Sequence, residues 1–402
     1  MDSLLDLQFW PDWPLALDPL ACFGLVLFLA VVLGEIASRL RLPRISAYVA
    51  TGVVLSFGRE LPLLAGLLPS AHLVFELAFA LLLFELGQRI DLGWLRRNPW
   101  LLATSLAESL LAFVAVGALM LLFDQPPILA LLIAALTAST GPAVVLGVSK
   151  DSAARGQVTD RLALLSALGS CYSFVVLGVA YAWQHGETTE PLAAVLHPLY
   201  LLLGSMLLGG MAAWAVLRIL ARIKPGDNSQ TLAAIALIII AVALAKTLDL
   251  SVVISLLFAG ILSRSLDRQH RLQPMDFGLI SRLALIVVFV ATGALLQPAQ
   301  FMAALPAAVG LLAARALAKG VGVFLFARPS GLSLRKASLL SIGLLPMSGA
   351  ALLWVESTAA IWPELGAQLA AIVLTALLIM EFLAPPALQF ALRRANETGD
   401  KP

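Results

Sequence analysis

Thr137-Ala-Ser-Thr-Gly-Pro142 and Gly343-Leu-Leu-Pro-Met-Ser-Gly349 are two proline-interrupted stretches inside long apolar runs, and their reading decides the fold. Proline has no amide hydrogen and its ring displaces the carbonyl four residues back, so Ala138 and Ile342 lose their helical partners. Hydrocarbon offers no water as a substitute, and a broken helix persists there only beside protein or a cavity. Two breaks at matching places in the halves of one chain are the pattern of an inverted repeat, in which solutes or ions bind where two discontinuous helices cross.

Working outward, the whole chain reads as a membrane protein. Of its residues 60% are hydrophobic and only 12% are charged, and mean hydropathy is +0.96. Apolar runs such as Thr231–Ala245 and Leu283–Leu296 belong to segments of about the 20 residues a bilayer requires. Alternating apolar and polar strands are absent, so the expected class is all-α rather than a barrel. A net charge of +2, without basic tracts or zinc spacing, gives no footprint for nucleic acid. Neither a Ser-His-Asp order nor a metal-spaced cluster is present, which leaves an enzyme reading without a site. No cofactor and no resident metal are expected. Cys22 and Cys171 fall in separate helical runs and read as two reduced thiols.

Thirteen spans are expected, the broken ones at about 127–149 and 334–357. Alternate loops then hold 22 of the 26 basic residues. The intervening loops offer Arg59 and Lys246, and the N-terminal stretch carries Asp2, Asp6, Asp12 and Asp18. The positive-inside rule therefore puts the N-terminus in the periplasm and the C-terminus in the cytoplasm, for a multi-pass protein of a bacterial inner membrane. The same segmentation reveals the repeat: Pro142 and Pro346 are 204 residues apart, an offset of seven helices, and an odd offset inverts the second copy. Residues 1–402 are expected to form one membrane domain, with repeats at about 15–184 and 230–391 joined by a helix at about 191–221, and no soluble regulatory domain.

Two basic residues remain deep in the apolar sequence, Arg315 and Lys319, one helical turn apart. Each charge near the bilayer centre costs about 2.5–3.5 kcal/mol on insertion scales, so the pair requires acidic company. The candidates are Glu76, Glu85, Glu108 and Glu381. Arginine stays protonated and suits a structural role, whereas a desolvated lysine can exchange its proton. Glu85 stands four residues before Arg89 and Glu35 four before Arg39, which reads as helix-end pairing. Gly209-Gly210 and Gly320-Val-Gly322 read as close-packing points between helices.

With these residues in place, the chain resembles the cation:proton antiporter superfamily, nearest its Kef-like branch. Arg41-Leu-Pro-Arg-Ile-Ser-Ala-Tyr-Val-Ala-Thr-Gly52 is similar to that family's first hairpin, and Glu76 to Asp91 to its third helix. Arg315-Ala-Leu-Ala-Lys-Gly320 and Gly343-Leu-Leu-Pro-Met-Ser-Gly349 resemble its helix eleven and second broken helix. The resemblance implies a homodimer in which a core carrying the crossing helices moves against a dimerisation domain, exchanging a monovalent cation, sodium or potassium, for protons. It also implies that a cytoplasmic regulatory subunit can bind.

One departure bears on the site. The family's first broken helix often reads Thr-Asp-Pro, and its next helix carries an aspartate that binds cation and proton in turn. Here Thr140-Gly141-Pro142 stands at the first place and Ser170, after Ser166, at the second. A serine cannot titrate over an ordinary pH range. The leading expectation is a relocated site, with Glu76 as the titrating carboxylate and Thr140, Ser166, Ser170 and the carbonyls freed by Pro142 and Pro346 as neutral oxygens. The alternatives are transport of another solute or anion, drawn by Arg315 and Lys319, or a transport-dead membrane sensor or scaffold. For Ser166 the plainer role is a bond to its own helix backbone.

Overall fold

The computed structural model describes residues 19–40, 42–57, 67–88, 90, 92–186, 191–220, 222–223, 228–267, 279–294 and 298–399. The N-terminal aspartates, Arg59 and Arg89 lie outside them. Sixteen helices are described. In chain order they are α1 (Pro19–Arg39), α2 (Arg44–Phe57), α3 (Leu67–Gln88), α4 (Leu92–Arg97), α5 (Pro99–Leu122), α6 (Pro127–Ala138), α7 (Pro142–Asp151) and α8 (Gln157–Gly186). The remainder are α9 (Pro191–Leu220), α10 (Asn228–Thr247), α11 (Val252–Leu266), α12 (Leu279–Ala294), α13 (Pro298–Ala327), α14 (Leu334–Gly343), α15 (Ala350–Ile361) and α16 (Pro363–Arg394). Seven of them are long and apolar enough to cross a membrane, and α2, α6, α11 and the Arg282–Ala294 part of α12 are shorter apolar helices.

Proline sets many of the starts. It opens α5, α6, α7 and α16, where its fixed φ is already helical and its missing donor is not needed. The expected broken spans appear as two half-helices each, α6/α7 and α14/α15. The short α4 is an addition to the sequence reading, lying just before Pro99.

Glycines decide which helices touch most closely. Gly52 of α2 and Gly293 of α12 meet backbone to backbone, as do Gly87 of α3 and Gly260 of α11, and a Cβ at any of the four would collide with the partner's main chain. Gly209 of α9 lies against the Ser255 carbonyl of α11. These contacts, together with the packing of α3 against α12, tie α2, α3, α9, α11 and α12 into one packed group. A second group gathers α5, α6, α13, α15 and α16, with Gly322 of α13 set against the main chain of Glu108 in α5. The close-packing reading holds for Gly209 and Gly322. It fails for Gly320, whose Cβ position has nothing within 4 Å.

The carboxyl-terminal stretch docks at the end of the bundle where α8 begins. Glu397 Oε1 accepts from the Val158 amide at 2.9 Å, while its Oε2 accepts from the Thr159 amide at 2.8 Å and hydroxyl at 2.9 Å. It thereby satisfies first-turn donors of α8 that have no intrahelical partner. Lys336 Nζ stands 3.8 Å from the same carboxylate, and the Gly399 amide donates to Ser152 O at 3.0 Å. The end of α7, the start of α8 and the start of α14 therefore meet on one face.

Candidate functional site

The breaks at Pro142 and Pro346 face each other. Thr140 and Met347 form an isolated antiparallel bridge, the Gly141 amide donates to Pro346 O at 3.0 Å and Thr140 Oγ1 donates to Leu344 O at 3.3 Å. Gly141 is obligatory here, since a Cβ would strike the Met347 carbonyl. The half-helices α6 and α14 both end at this point, so two carboxyl-terminal dipole ends, each equivalent to about half a negative charge, converge.

Arg315 occupies that convergence with no exposed surface. Its guanidinium donates to the carbonyls of Thr137 (2.5 Å), Ser139 (2.9 Å), Leu344 (3.3 Å), Leu345 (2.6 Å) and Pro346 (2.9 Å). Carbonyls freed by the helix breaks thus find their partner in one fixed planar fork of donors. The side chain acts as a clamp on the crossing, and the acidic company expected for it is replaced by main-chain oxygen.

Lys319, one turn further along α13, does have acidic company. Its ammonium pairs with Glu108 of α5, and the two side chains are 1% and 0% exposed. Ser109 Oγ donates to the other oxygen of Glu108 at 2.8 Å. The Cβ position of Gly169 in α8 lies 3.8 Å from Glu108 Oε1 and 3.8 Å from Ser139 Cα, which puts the carboxylate next to the crossing. Two more oxygens border it. The Ser105 and Tyr172 hydroxyls are buried and face each other, and Tyr172 lies near enough to Glu108 to feel its charge.

The other expected residues fall elsewhere or have a plainer role. Glu76 pairs with Lys246 of α10. Glu85 pairs with Lys150 at the end of α7 at 2.5 Å; the helix-end pairing with Arg89 expected from the sequence lies outside the described residues. Glu35 lies 3.7 Å from Arg39, as expected, and 3.3 Å from Arg44. Ser166 Oγ donates to Ala163 O at 3.0 Å and Ser170 Oγ to Ser166 O at 2.9 Å, so both spend their proton on their own helix. Their lone pairs stay free to accept. Glu381 is 2% exposed and stands apart from the crossing's described bonds. Neither Cys22 nor Cys171 forms a disulfide among the described residues.

Glu108, a candidate partner for the deep basic residues in the sequence reading, stands beside the crossing with Ser105 and Tyr172, which the sequence reading did not single out. The available signal was that Glu108 is the sole acid in the 24 residues of α5, in a chain with two deep basic residues to balance.

Two solved structures of the sodium proton antiporter MjNhaP1 from Methanocaldococcus jannaschii share this architecture. One superposes with a TM-score of 0.66 at 17% identity, covering 94% of this chain and 96% of that one. The other gives 0.66 at 18% identity, covering 94% and 95%. At such identities the likeness concerns the fold. The sequence profile of a transmembrane family described as sodium/hydrogen exchanger matches residues 24–394, nearly the full length, and the chain belongs to that family.

Proposed function

We propose that this protein exchanges a monovalent cation for protons across the membrane by alternating access, with Glu108 and Lys319 as the exchanging pair. The buried Glu108–Lys319 ion pair beside the crossing, in a chain of this family, carries the reading. Either the ammonium or a cation can neutralise the Glu108 carboxylate. A cation bound by Glu108 leaves the Lys319 ammonium without a counter-charge in a water-poor site, and it sheds one proton to water. When the cation departs, Lys319 takes a proton back and pairs again. Hard monovalent cations take several oxygens, and the buried Ser105 and Tyr172 hydroxyls, with the lone pairs of Ser166 and Ser170, complete a set in the absence of the family's aspartate. Glu76 becomes an ion-pair residue of α3 and α10.

Further features belong to the same reading. The alternation of basic loops supports thirteen spans, an inverted repeat and a cytoplasmic carboxyl end in a bacterial inner membrane. The hairpin Arg41 to Gly52 supports the Kef-like branch, and with it a homodimer and a cytoplasmic regulatory subunit. A cavity of about 250 Å³ between α8, α9, α11 and α15 lies beside the α10–α11 turn, with Asp249 among its lining residues. That turn is at the end of the bundle opposite the Glu397 dock, which fits a state open to the periplasm.

The test is proton flux in reconstituted vesicles driven by sodium, potassium and lithium gradients in turn. Wild type responds to at least one. Glu108→Gln abolishes exchange, and the double variant Glu108→Gln with Lys319→Met, which leaves no unpaired charge, folds and is equally inactive. Exchange at the wild-type rate in the folded double variant refutes the assignment.

A further inference from the structure

Glu381 lies in the middle of α16, which runs unbroken through Pro385 and Pro386. Its side chain is 2% exposed, and its Oε2 has no hydrogen-bond partner among the described residues. The two prolines lack amide hydrogens, so the carbonyls of Glu381 and Phe382 lose their i+4 donors. A carboxyl group and two freed main-chain oxygens therefore share one turn of helix inside the membrane. Leu378, Leu388 and Leu392, spaced on the same face, are buried in an apolar cluster, so the surroundings supply no solvent.

The charged groups on the neighbouring helices have other described partners or positions. On α13, Arg315 holds the crossing carbonyls and Lys319 holds Glu108. Arg44 of α2 is with Glu35 and Asp151, and Lys150 of α7 is with Glu85. On α14, Arg335 donates to Arg394 O and Lys336 stands by Glu397. Arg282 of α12 is exposed, α6 carries no charge, and the Glu356 side chain of α15 lies outside the described ones.

An intramembrane carboxyl of this kind is costly when ionised and, when neutral, leaves polar atoms unsatisfied in the same place. A purely structural role is filled more cheaply by an apolar residue. The group also sits on a helix packed against α13, α14 and α15, which carry Lys319 and one side of the crossing. We infer that Glu381 is a second proton-exchanging residue of the transport cycle, its carboxyl O–H breaking to give a proton to water in one state and re-forming in the other. The inference rests on the antiport reading: with one proton from Lys319 and one from Glu381, each cation exchanges for two protons and a net charge moves.

In vesicles with the membrane potential clamped at zero, the pH gradient that just halts a sodium gradient reports the coupling ratio. Wild type is expected at two protons per cation, Glu381→Gln at one, and Glu381→Asp at two. An unchanged ratio in Glu381→Gln, or a wild-type ratio of one, overturns the inference while leaving antiport by the Glu108–Lys319 pair intact. A second measurement needs no transport. Infrared difference spectra of the purified protein on raising pH should show loss of a protonated carboxyl band in wild type that is missing in Glu381→Gln and displaced in Glu381→Asp. Identical bands in all three overturn the inference even where the variants carry no flux.

Discussion

Arg315 and Lys319 show how two basic residues one turn apart take opposite tasks. Arg315 has five carbonyl partners at the crossing, whereas lysine has three donors on one nitrogen and no fork. Leu344 O and Pro346 O have Thr140 and Gly141 as further donors, but a single nitrogen cannot match the spread of the Thr137, Ser139 and Leu345 carbonyls, so Arg315→Lys carries an expected loss of about 1–3 kcal/mol. A clear fall in Tm in detergent, together with loss of exchange, is the expected result; unchanged melting contradicts the clamp. Lys319→Arg keeps the charge and the pairing with Glu108 but removes the readily surrendered proton, so it is expected to fold normally and to lose exchange. The depth of both residues was legible in the sequence because the cost of a membrane charge is local information. The partner of Lys319 was not, since Glu108 is 211 residues away and the choice among four glutamates depends on how α5 and α13 are rotated.

Among the helices, contact at glycine separates two outcomes that sequence alone treats alike. Gly260→Ala places a methyl group against the Phe84 carbonyl, and Gly320→Ala places one in open space. The first is expected to cost roughly 1–3 kcal/mol as overpacking between α3 and α11, visible as reduced yield of folded protein; the second is neutral or slightly favourable through helix propensity. Equal yields for the two variants contradict the close approach. Removing the cap by Glu397→Ala deprives the first turn of α8 of its acceptor, with an expected loss of about 1–2 kcal/mol and a lower Tm. The helix breaks at Pro142 and Pro346 were readable because proline acts on its own neighbourhood. Glu85 shows the limit of such reading: nothing in the local sequence points to Lys150 of α7, which the folded chain brings to it.

At the scale of the molecule, the Glu85–Lys150 pair joins α3 of one packed group to α7, a half-helix of the crossing. Any cycle that moves the crossing against α3 must break it. Cysteines at positions 85 and 150, in a background with Cys22 and Cys171 replaced, are expected to stop exchange when joined by a bifunctional thiol reagent and to recover on cleavage of the linker. Full exchange in the linked protein would mean that these helices do not move apart. The dock of Glu397 on α8 has a consequence in time. The amides it serves belong to residues about 240 positions earlier in the chain, so at roughly 5–20 residues per second the ribosome delivers the acceptor some 10–50 s after α8 itself. Through that interval α8 stands in the nascent protein with its first turn unserved, and the helix bearing Ser166, Ser170 and Tyr172 is locked only when translation reaches the carboxyl-terminal stretch.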